Sequence, residues 1–218
     1  MGQAELISHQ QLLIIKSVLY FYGNAASEEL SKKVANDIER HWNEGDAFTI
    51  IRHSKYKIVF NIKGYYLKNL APAEVFENVN PVNNYFRIEN SSPLGVSFVD
   101  GIGCNTGYFL LNNLLQDSTT AAHEYGHTIG LVHPHELDIR GRGVPGIMYP
   151  RGTVVDAIHQ YNPNAIAGDN TNGGTMNPFS RKVLQQDIDN LKLNKLNFNK
   201  NGFAVVGDFS SLWHEAYD

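Results

Sequence analysis

The chain has 218 residues and a net charge of −4, with 42% apolar and 18% charged residues, values typical of an ordinary globular protein. At this length, one domain can bury a sizeable core without disulfides or structural metals. No basic block is present, which argues against nucleic acid as a partner. No stretch reaches the roughly 18 apolar residues of a membrane helix, and the opening residues make a poor signal peptide, so neither a membrane partner nor a compartment is predicted.

The first half of the chain predicts two helices followed by strands. The apolar run at residues 9–22 is interpreted as a helix of modest amphipathicity. A second helix is predicted after Ser27, a good N-cap, because two acidic residues follow it and apolar residues recur every four positions until Gly45. Residues 56–66 alternate apolar and polar side chains and predict a strand. Three shorter strands are predicted at residues 84–88, 95–99 and 107–111.

The second half predicts a helix, a long irregular region and a last helix. The first of these helices begins at Asp117 or Ser118 and continues to about residue 129. Residues 134–176 are rich in Gly, Pro, Asn and Asp, and irregular stretches of this length are usually functional. The last helix is predicted at residues 178–193. The fold class is therefore α+β in a single domain, with one lobe at residues 1–133 and a loop-rich second lobe at residues 134–218.

The segment at residues 123–133 carries the chemistry of this chain. Positions i and i+4 of a helix lie on one face, so His123 and His127 can point at the same ion. Glu124 lies about 100° around the helix and can reach a water molecule there without being a ligand. Gly130 can end the helix and turn the chain back, which delivers His133 to the same ion. Three neutral imidazoles and one water form a tetrahedral zinc site with an exchangeable position.

A site of this composition contains the minimal apparatus for peptide hydrolysis without a covalent intermediate. Zinc polarises the scissile carbonyl and lowers the pKa of the attacking water. Glu124 is the expected catalytic residue, which takes a proton from that water and passes it to the departing amine. The expected cofactor is therefore one catalytic Zn²⁺, held by the three histidines.

The pattern HExxHxxGxxH at residues 123–133 resembles the metzincin clan of metallopeptidases. This clan has a methionine-containing turn downstream of the third histidine, and GIMYP at residues 146–150 fits it, with Met148 fifteen residues after His133. Met-Tyr-Pro is similar to the matrixins, whereas a third histidine followed by proline is similar to the serralysins. The tyrosine that astacins and serralysins carry two residues after the methionine is replaced by Pro150. Tyr149 is therefore expected to be a wall or core aromatic residue.

The resemblance implies a two-lobed zinc peptidase with a twisted mixed sheet, an active-site helix, and a C-terminal lobe holding the Met-turn and a final helix. It also implies a protein or peptide substrate, and the chain is expected to act as a monomer. In this clan the last strand before the active-site helix lines the cleft and binds substrate by strand addition. Residues 107–111 are the candidate edge strand, and the cleft candidates are Gly107, Tyr108, Phe109 and Tyr149.

Structural calcium is a further implication of the resemblance. Residues 168–174 offer oxygen ligands, but they include only one carboxylate and lack the EF-hand pattern, which favours a flexible loop instead.

Three other interpretations remain open at the level of sequence. The chain could be a zinc-bearing protein-binding module without activity, although inactive relatives usually lose the glutamate or a histidine, and all four residues are present here. It could be a toxin or effector protease restricted to one target, which cleavage of a single protein would support. It could also hydrolyse a bond other than a peptide, against which the Met-turn and the candidate edge strand argue.

Overall fold

A computed structural model describes residues 1–115, 118–165, 173–210 and 212–217. Within these ranges the chain forms an α+β fold with eight strands in one curled mixed sheet and five α-helices. The strands are β1 (Gly2–Ile7), β2 (Leu12–Tyr22), β3 (Phe48–Ile51), β4 (Ser54–Tyr66), β5 (Asn83–Glu89), β6 (Phe98–Val99), β7 (Thr106–Leu110) and β8 (Phe203–Val206). The helices are α1 (Glu28–Asn43), α2 (Pro72–Phe76), α3 (Leu111–Leu114), α4 (Thr120–Thr128) and α5 (Gln185–Asn190).

The strands follow the order β3-β4-β2-β5-β7-β6, and the two edge strands of this series, β3 and β6, pair in antiparallel fashion. The four inner strands are parallel to one another. Strand β2 shares one of its edges between two partners: its first half pairs with β1 and its second half with β5. Strand β8 pairs with β1, so this part of the predicted second lobe lies in the main sheet.

The predicted helix at residues 9–22 is wrong, because this run forms β2 in the centre of the sheet. Alternate residues of β2 are buried, among them Leu13, Ile15 and Leu19. The partly buried residues between them, such as Ile14 and Val18, are also apolar, so the sequence is a nearly continuous apolar run that cannot be distinguished from a buried helix by its period.

The second predicted helix and the strand at residues 56–66 are confirmed. Helix α1 begins after Ser27, whose hydroxyl accepts a hydrogen bond from the Leu30 N–H at 3.2 Å, and it buries Val34, Ile38 and Trp42 against the sheet. Strand β4 alternates buried and exposed residues as its sequence predicts.

Predictions near the ends and edges of the sheet need correction. The last helix, predicted at residues 178–193, is reduced to α5, with a 3-10 turn at Pro178–Ser180 before it. The strand predicted at residues 95–99 is only the two-residue β6. Strands β1, β3 and β8 were not predicted. The strand at residues 107–111 is confirmed as β7, but it is not an edge strand, because β6 covers its outer side.

The core lies between the sheet and the pair of helices α1 and α4. Trp42 of α1 joins the three, since its indole N–H donates to the Ala122 carbonyl of α4 at 3.0 Å and its ring packs on Phe60 of β4. Tyr125 of α4 is fully buried, and its hydroxyl lies 2.8 Å from the Ser17 hydroxyl of β2. Among the described residues, no helix is long and apolar enough to cross a membrane.

Candidate metal centre

The helix that carries the first two histidines is short and is held in place by the core. Helix α4 spans Thr120–Thr128, close to the prediction, and the Ser118 hydroxyl accepts the Thr120 N–H at 3.2 Å. The alternative N-cap, Asp117, lies outside the described residues. Because Trp42 of α1 and Ser17 of β2 both bind α4 through hydrogen bonds, α1 and the sheet together fix the orientation of its histidine face.

Gly130 ends α4 and returns the chain towards the histidine face, as predicted. Its φ of 104° lies in the region that only glycine adopts readily. The Leu131 N–H donates to the Gly126 carbonyl at 2.9 Å, and this bond closes the last turn of the helix. The exposed loop that follows carries His133.

Three imidazole nitrogens converge at one point beside α4. The Nε2 atom of His133 lies 3.0 Å from that of His123 and 3.1 Å from that of His127. The ligand atoms of this triad all lie within 4.8 Å of one another. A tetrahedral ion with bonds of about 2.0–2.1 Å would hold such nitrogens about 3.3 Å apart, so the donor set fits a single metal ion.

Backbone carbonyls orient two of the three rings. His123 Nδ1 lies 2.7 Å from the Ile147 carbonyl, and His127 Nδ1 lies 2.8 Å from the Leu131 carbonyl. Because a carbonyl only accepts, each Nδ1 carries the proton, and each Nε2 lone pair is left for a metal. Among the described residues, His133 Nδ1 has no hydrogen-bond partner.

Arg181 contributes a cation to the centre. Its Nη1 atom lies 2.9 Å from His123 Nδ1 and donates to the Tyr149 carbonyl at 3.1 Å. Two N–H groups cannot bond each other, so the carbonyl of Ile147 is the acceptor for His123 and the Arg181 contact is electrostatic. Burial lowers the pKa of His123, His127 and His133, and the Arg181 charge lowers each of them further, which keeps the rings neutral.

Glu124 lies in the same cavity as two of the histidines. It is 8% exposed, and within the described residues its carboxylate makes no hydrogen bond. Burial raises the pKa of Glu124 to about 8, and the Arg181 charge opposes this shift. In its ionised form, this carboxylate has no protein partner among the described residues and is free to accept a proton from a molecule in the cavity.

Met148 packs directly against α4, the helix that carries the first two histidines. It is almost fully buried, and a β-carbon added to Gly126 of α4 would overlap its sulfur atom. The turn at residues 146–149 is closed by a hydrogen bond from the Tyr149 N–H to the Gly146 carbonyl at 3.3 Å. The turn therefore supports the helix from below and, through the Ile147 carbonyl, orients His123.

Sequence reasoning missed two buried charged residues of this centre, Arg181 and Asp187. The Asp187 carboxylate accepts the Leu184 N–H at 2.8 Å and the Ile147 N–H at 3.4 Å, so it braces the methionine turn. Burial raises the pKa of Asp187 to about 6. Both residues lie in the segment predicted as a surface helix, where charged side chains are expected to be solvated, so no local signal marked them.

A cavity of about 190 Å³ opens beside His123, Glu124 and His133. The structure does not bring the predicted cleft residues Gly107, Tyr108 and Phe109 to it, because all three are buried in β7. The segment at residues 95–97, just before β6, forms that wall instead. Tyr149 packs against Ile139, Val155 and Met176 as the predicted core aromatic residue. The candidate calcium loop lies outside the described residues, apart from Gly173 and Gly174.

Comparison with known proteins gives no family for this chain. No model of a known protein family matches the sequence, and neither does any curated protein.

Proposed function

We propose that this protein is a zinc-dependent endopeptidase of the metzincin type, acting on protein or peptide substrates. The observation that supports this most is the convergence of three imidazoles, two of them oriented by backbone carbonyls, next to a buried carboxyl group without a hydrogen-bond partner among the described residues. Three histidines with one open position are typical of catalytic zinc sites, whereas structural sites are closed by four protein ligands. The helix end at Gly130 and the methionine turn below α4 add to the resemblance.

The residues that would hold the ion are His123, His127 and His133, through their Nε2 atoms. When bound, the ion supplies Lewis acidity, which polarises the scissile carbonyl and makes water a stronger nucleophile. The Ile147 and Leu131 carbonyls hold the Nδ1 protons of the two helix-borne rings, so both rings keep the tautomer that a metal needs.

Glu124 acts as the general base. Its carboxylate removes a proton from the water that attacks the scissile carbon, and then gives this proton to the amine of the leaving peptide. The absence of a protein partner for the carboxylate among the described residues leaves both oxygens available for these transfers. Arg181, close enough to lower the pKa of Glu124, favours the ionised form that accepts the proton.

An extended peptide would lie along the edge of the sheet nearest the cavity. That edge is β6 and the segment before it, and not β7 as the sequence suggested. Among the described strands, β6 pairs only with β7, through Phe98 and Val99. The other side of β6 therefore remains available for strand addition.

The test combines metal analysis with a peptide library. The purified chain is expected to contain one zinc ion, measured by elemental analysis, and to cleave a mixed peptide library read out by mass spectrometry. Glu124→Gln should keep the zinc and lose at least about 10²-fold in cleavage rate. Glu29→Gln, the same change at an exposed helix position, is the matched control and should leave the rate unchanged.

Two outcomes would contradict the proposal. Zinc binding without cleavage of any peptide or unfolded protein would indicate a binding module. Cleavage that persists in Glu124→Gln, or after removal of the metal by a chelator, would show that the histidine centre is not the site of hydrolysis.

A further inference from the structure

The cavity beside the histidine triad has a charge that the proposed hydrolysis does not explain. Its walls come from the segment at residues 95–97, from helices α3 and α4, and from the chain after the methionine turn. Besides the neutral histidines, three of its lining residues have ionisable side chains: Glu124, Arg151 and Arg181. Ionised Glu124 offsets the charge of one arginine, so a net positive charge remains for a bound molecule.

Arg181 is the more informative of the two arginines, because it is 4% exposed and still lines the cavity. Its Nε atom donates to the Thr119 hydroxyl at 3.0 Å and its Nη1 atom to the Tyr149 carbonyl. Within the described residues, Nη2 has no hydrogen-bond partner. Nη2 is not sealed from the cavity, so it can donate a charge-assisted hydrogen bond to an anion bound there.

Arg151 lies at the mouth of the same cavity and is exposed. No ion pair to Arg151 is formed within the described part of the chain, in contrast to Arg140 and Arg142, which pair with Asp138 and Glu136. The two cavity arginines thus lie on the path of an incoming group, one at the mouth and one at the inner wall.

The uncharged residues that line the cavity are consistent with a polar ligand. Ser97 accepts hydrogen bonds from the Leu110 N–H and from the Asn113 amide at 3.0 and 3.1 Å, so its own hydroxyl proton is free to donate. Val96 and Pro150 supply the apolar part. A lysine or arginine side chain would be repelled here, and a large apolar side chain would leave the Arg181 donors unpaired.

We propose that this cavity binds a carboxylate group of the substrate, carried by an aspartate or glutamate next to the scissile bond or by the C-terminus of a short peptide. Arg181 Nη2 and the Arg151 guanidinium are the specificity-determining donors, because guanidinium and carboxylate match in charge and geometry. The inference rests on the proposed endopeptidase function, whose substrate class it narrows.

The first experiment measures equilibrium binding of capped pentapeptides to zinc-loaded Glu124→Gln, which binds without turnover. Four peptides form the set: one with Asp, its Asn counterpart, one neutral peptide with a free C-terminal carboxylate and the same peptide amidated. The carboxylate member of at least one pair is expected to bind about 10-fold or more tightly than its neutral counterpart. The pair that discriminates identifies the source of the carboxylate.

The second experiment assigns the preference to the cavity. Arg151→Glu is expected to reduce the preference for the carboxylate about 3- to 10-fold, and the reduction should shrink at high salt because this arginine is exposed. Arg140→Glu is the matched control, since it makes the same charge change on an exposed arginine outside the cavity, and it should leave the preference unchanged. Arg151→Lys should retain most of the preference.

The outcomes separate this inference from the proposed function. Cleavage of the library by the parent protein without any preference for a carboxylate would overturn the inference and leave the endopeptidase intact. If the carboxylate peptide binds more tightly than its neutral counterpart but the parent protein cleaves no peptide, carboxylate binding in the cavity is supported and the endopeptidase function is contradicted. Equal binding of both members of each pair, or a preference unaffected by Arg151→Glu, would overturn the inference.

Discussion

The two parts of the histidine triad differ in how the protein holds them. His123 and His127 lie on α4, which is fixed by Trp42 of α1 and by Ser17 of the sheet, and a backbone carbonyl binds the Nδ1 of each ring. His133 lies on an exposed loop, and its Nδ1 has no partner among the described residues. The fold therefore orients two ligands before any metal binds, whereas the third depends on the loop after Gly130.

This difference separates stability from metal affinity. A buried, hydrogen-bonded ligand contributes to the folded protein with or without a metal, because its loss leaves other groups unpaired. An exposed ligand contributes mainly when the metal is bound. The centre thus allows the two contributions to be measured at different residues.

The largest expected effect comes from comparing His123→Ala with His133→Ala. Both should lower the affinity for zinc by more than about 100-fold. This loss exceeds the one usually caused by removing a residue that only hydrogen-bonds to a metal ligand. In chelator-treated protein, His123→Ala should cost about 1–3 kcal/mol of unfolding free energy, because the Ile147 carbonyl loses its donor. His133→Ala should change it by less than about 0.5 kcal/mol.

Urea unfolding of chelated protein and zinc titration by calorimetry measure these two quantities. Equal destabilisation by both variants would show that the loop-borne ligand is as strongly anchored as the helix-borne ones, and would remove the contrast between the two parts of the triad.

The next effect depends on pH and concerns Asp187, which accepts hydrogen bonds from the Ile147 and Leu184 N–H groups. Burial raises the pKa of Asp187 to about 6, so between about pH 4 and pH 6 the unfolded chain has lost this proton while the folded chain retains it. The contribution of Asp187 to stability is therefore full at low pH and falls as the pH rises through this window. The total is up to about 3 kcal/mol, from roughly 1.4 kcal/mol per pKa unit.

Asp187→Asn removes this dependence, so its stability relative to the parent protein should improve from pH 4 to pH 7. Urea midpoints of chelated protein across this range measure the trend. Asp189→Asn, an exposed change on the same helix, is the control and should show no trend of this size. A variant that becomes relatively less stable as the pH rises would mean that the hydrogen bonds to the ionised carboxylate outweigh its burial.

The smallest effect tests the contact between the helix-borne ligands and the methionine turn. Alanine usually stabilises a helix interior relative to glycine, but Gly126→Ala should cost about 1–2 kcal/mol, because its β-carbon would overlap the Met148 sulfur. Gly152→Ala, where no atom lies within 4 Å of the added carbon, should be nearly neutral. A double-mutant cycle with Met148→Ala should show a coupling energy above about 0.5 kcal/mol. Its absence would place the methionine out of contact with α4.

The histidine triad could be predicted from the sequence because its determinants are local. Helix periodicity places His123 beside His127, and Gly130 marks the turn, all within eleven residues. The amphipathic helix α1 and strand β4 were predicted for the same reason, since each has one buried and one exposed face. Strand β2 was not, because its partly buried face carries apolar residues as well as its buried face, so the apolar run has no distinctive period.

The surroundings of the triad could not be predicted, because they depend on contacts between distant parts of the chain. Arg181 meets His123 across 58 positions, and Asp187 meets Ile147 across 40. The edge strand was misassigned, although a strand was predicted at residues 95–99, because strand order is a property of the whole sheet. Composition showed that these residues are polar, but the fold decides that they are buried.

The shortness of α4 determines the order in which the protein and its centre form. Isolated helices of fewer than about 12 residues are marginal in water, and α4 has nine. It exists because the sheet and α1 hold it, so the histidine face forms only after the chain has folded around it. In small zinc fingers the metal drives folding. In this protein we expect folding to come first, so a chelator should remove activity without unfolding the chain, and the excised segment should bind metal poorly.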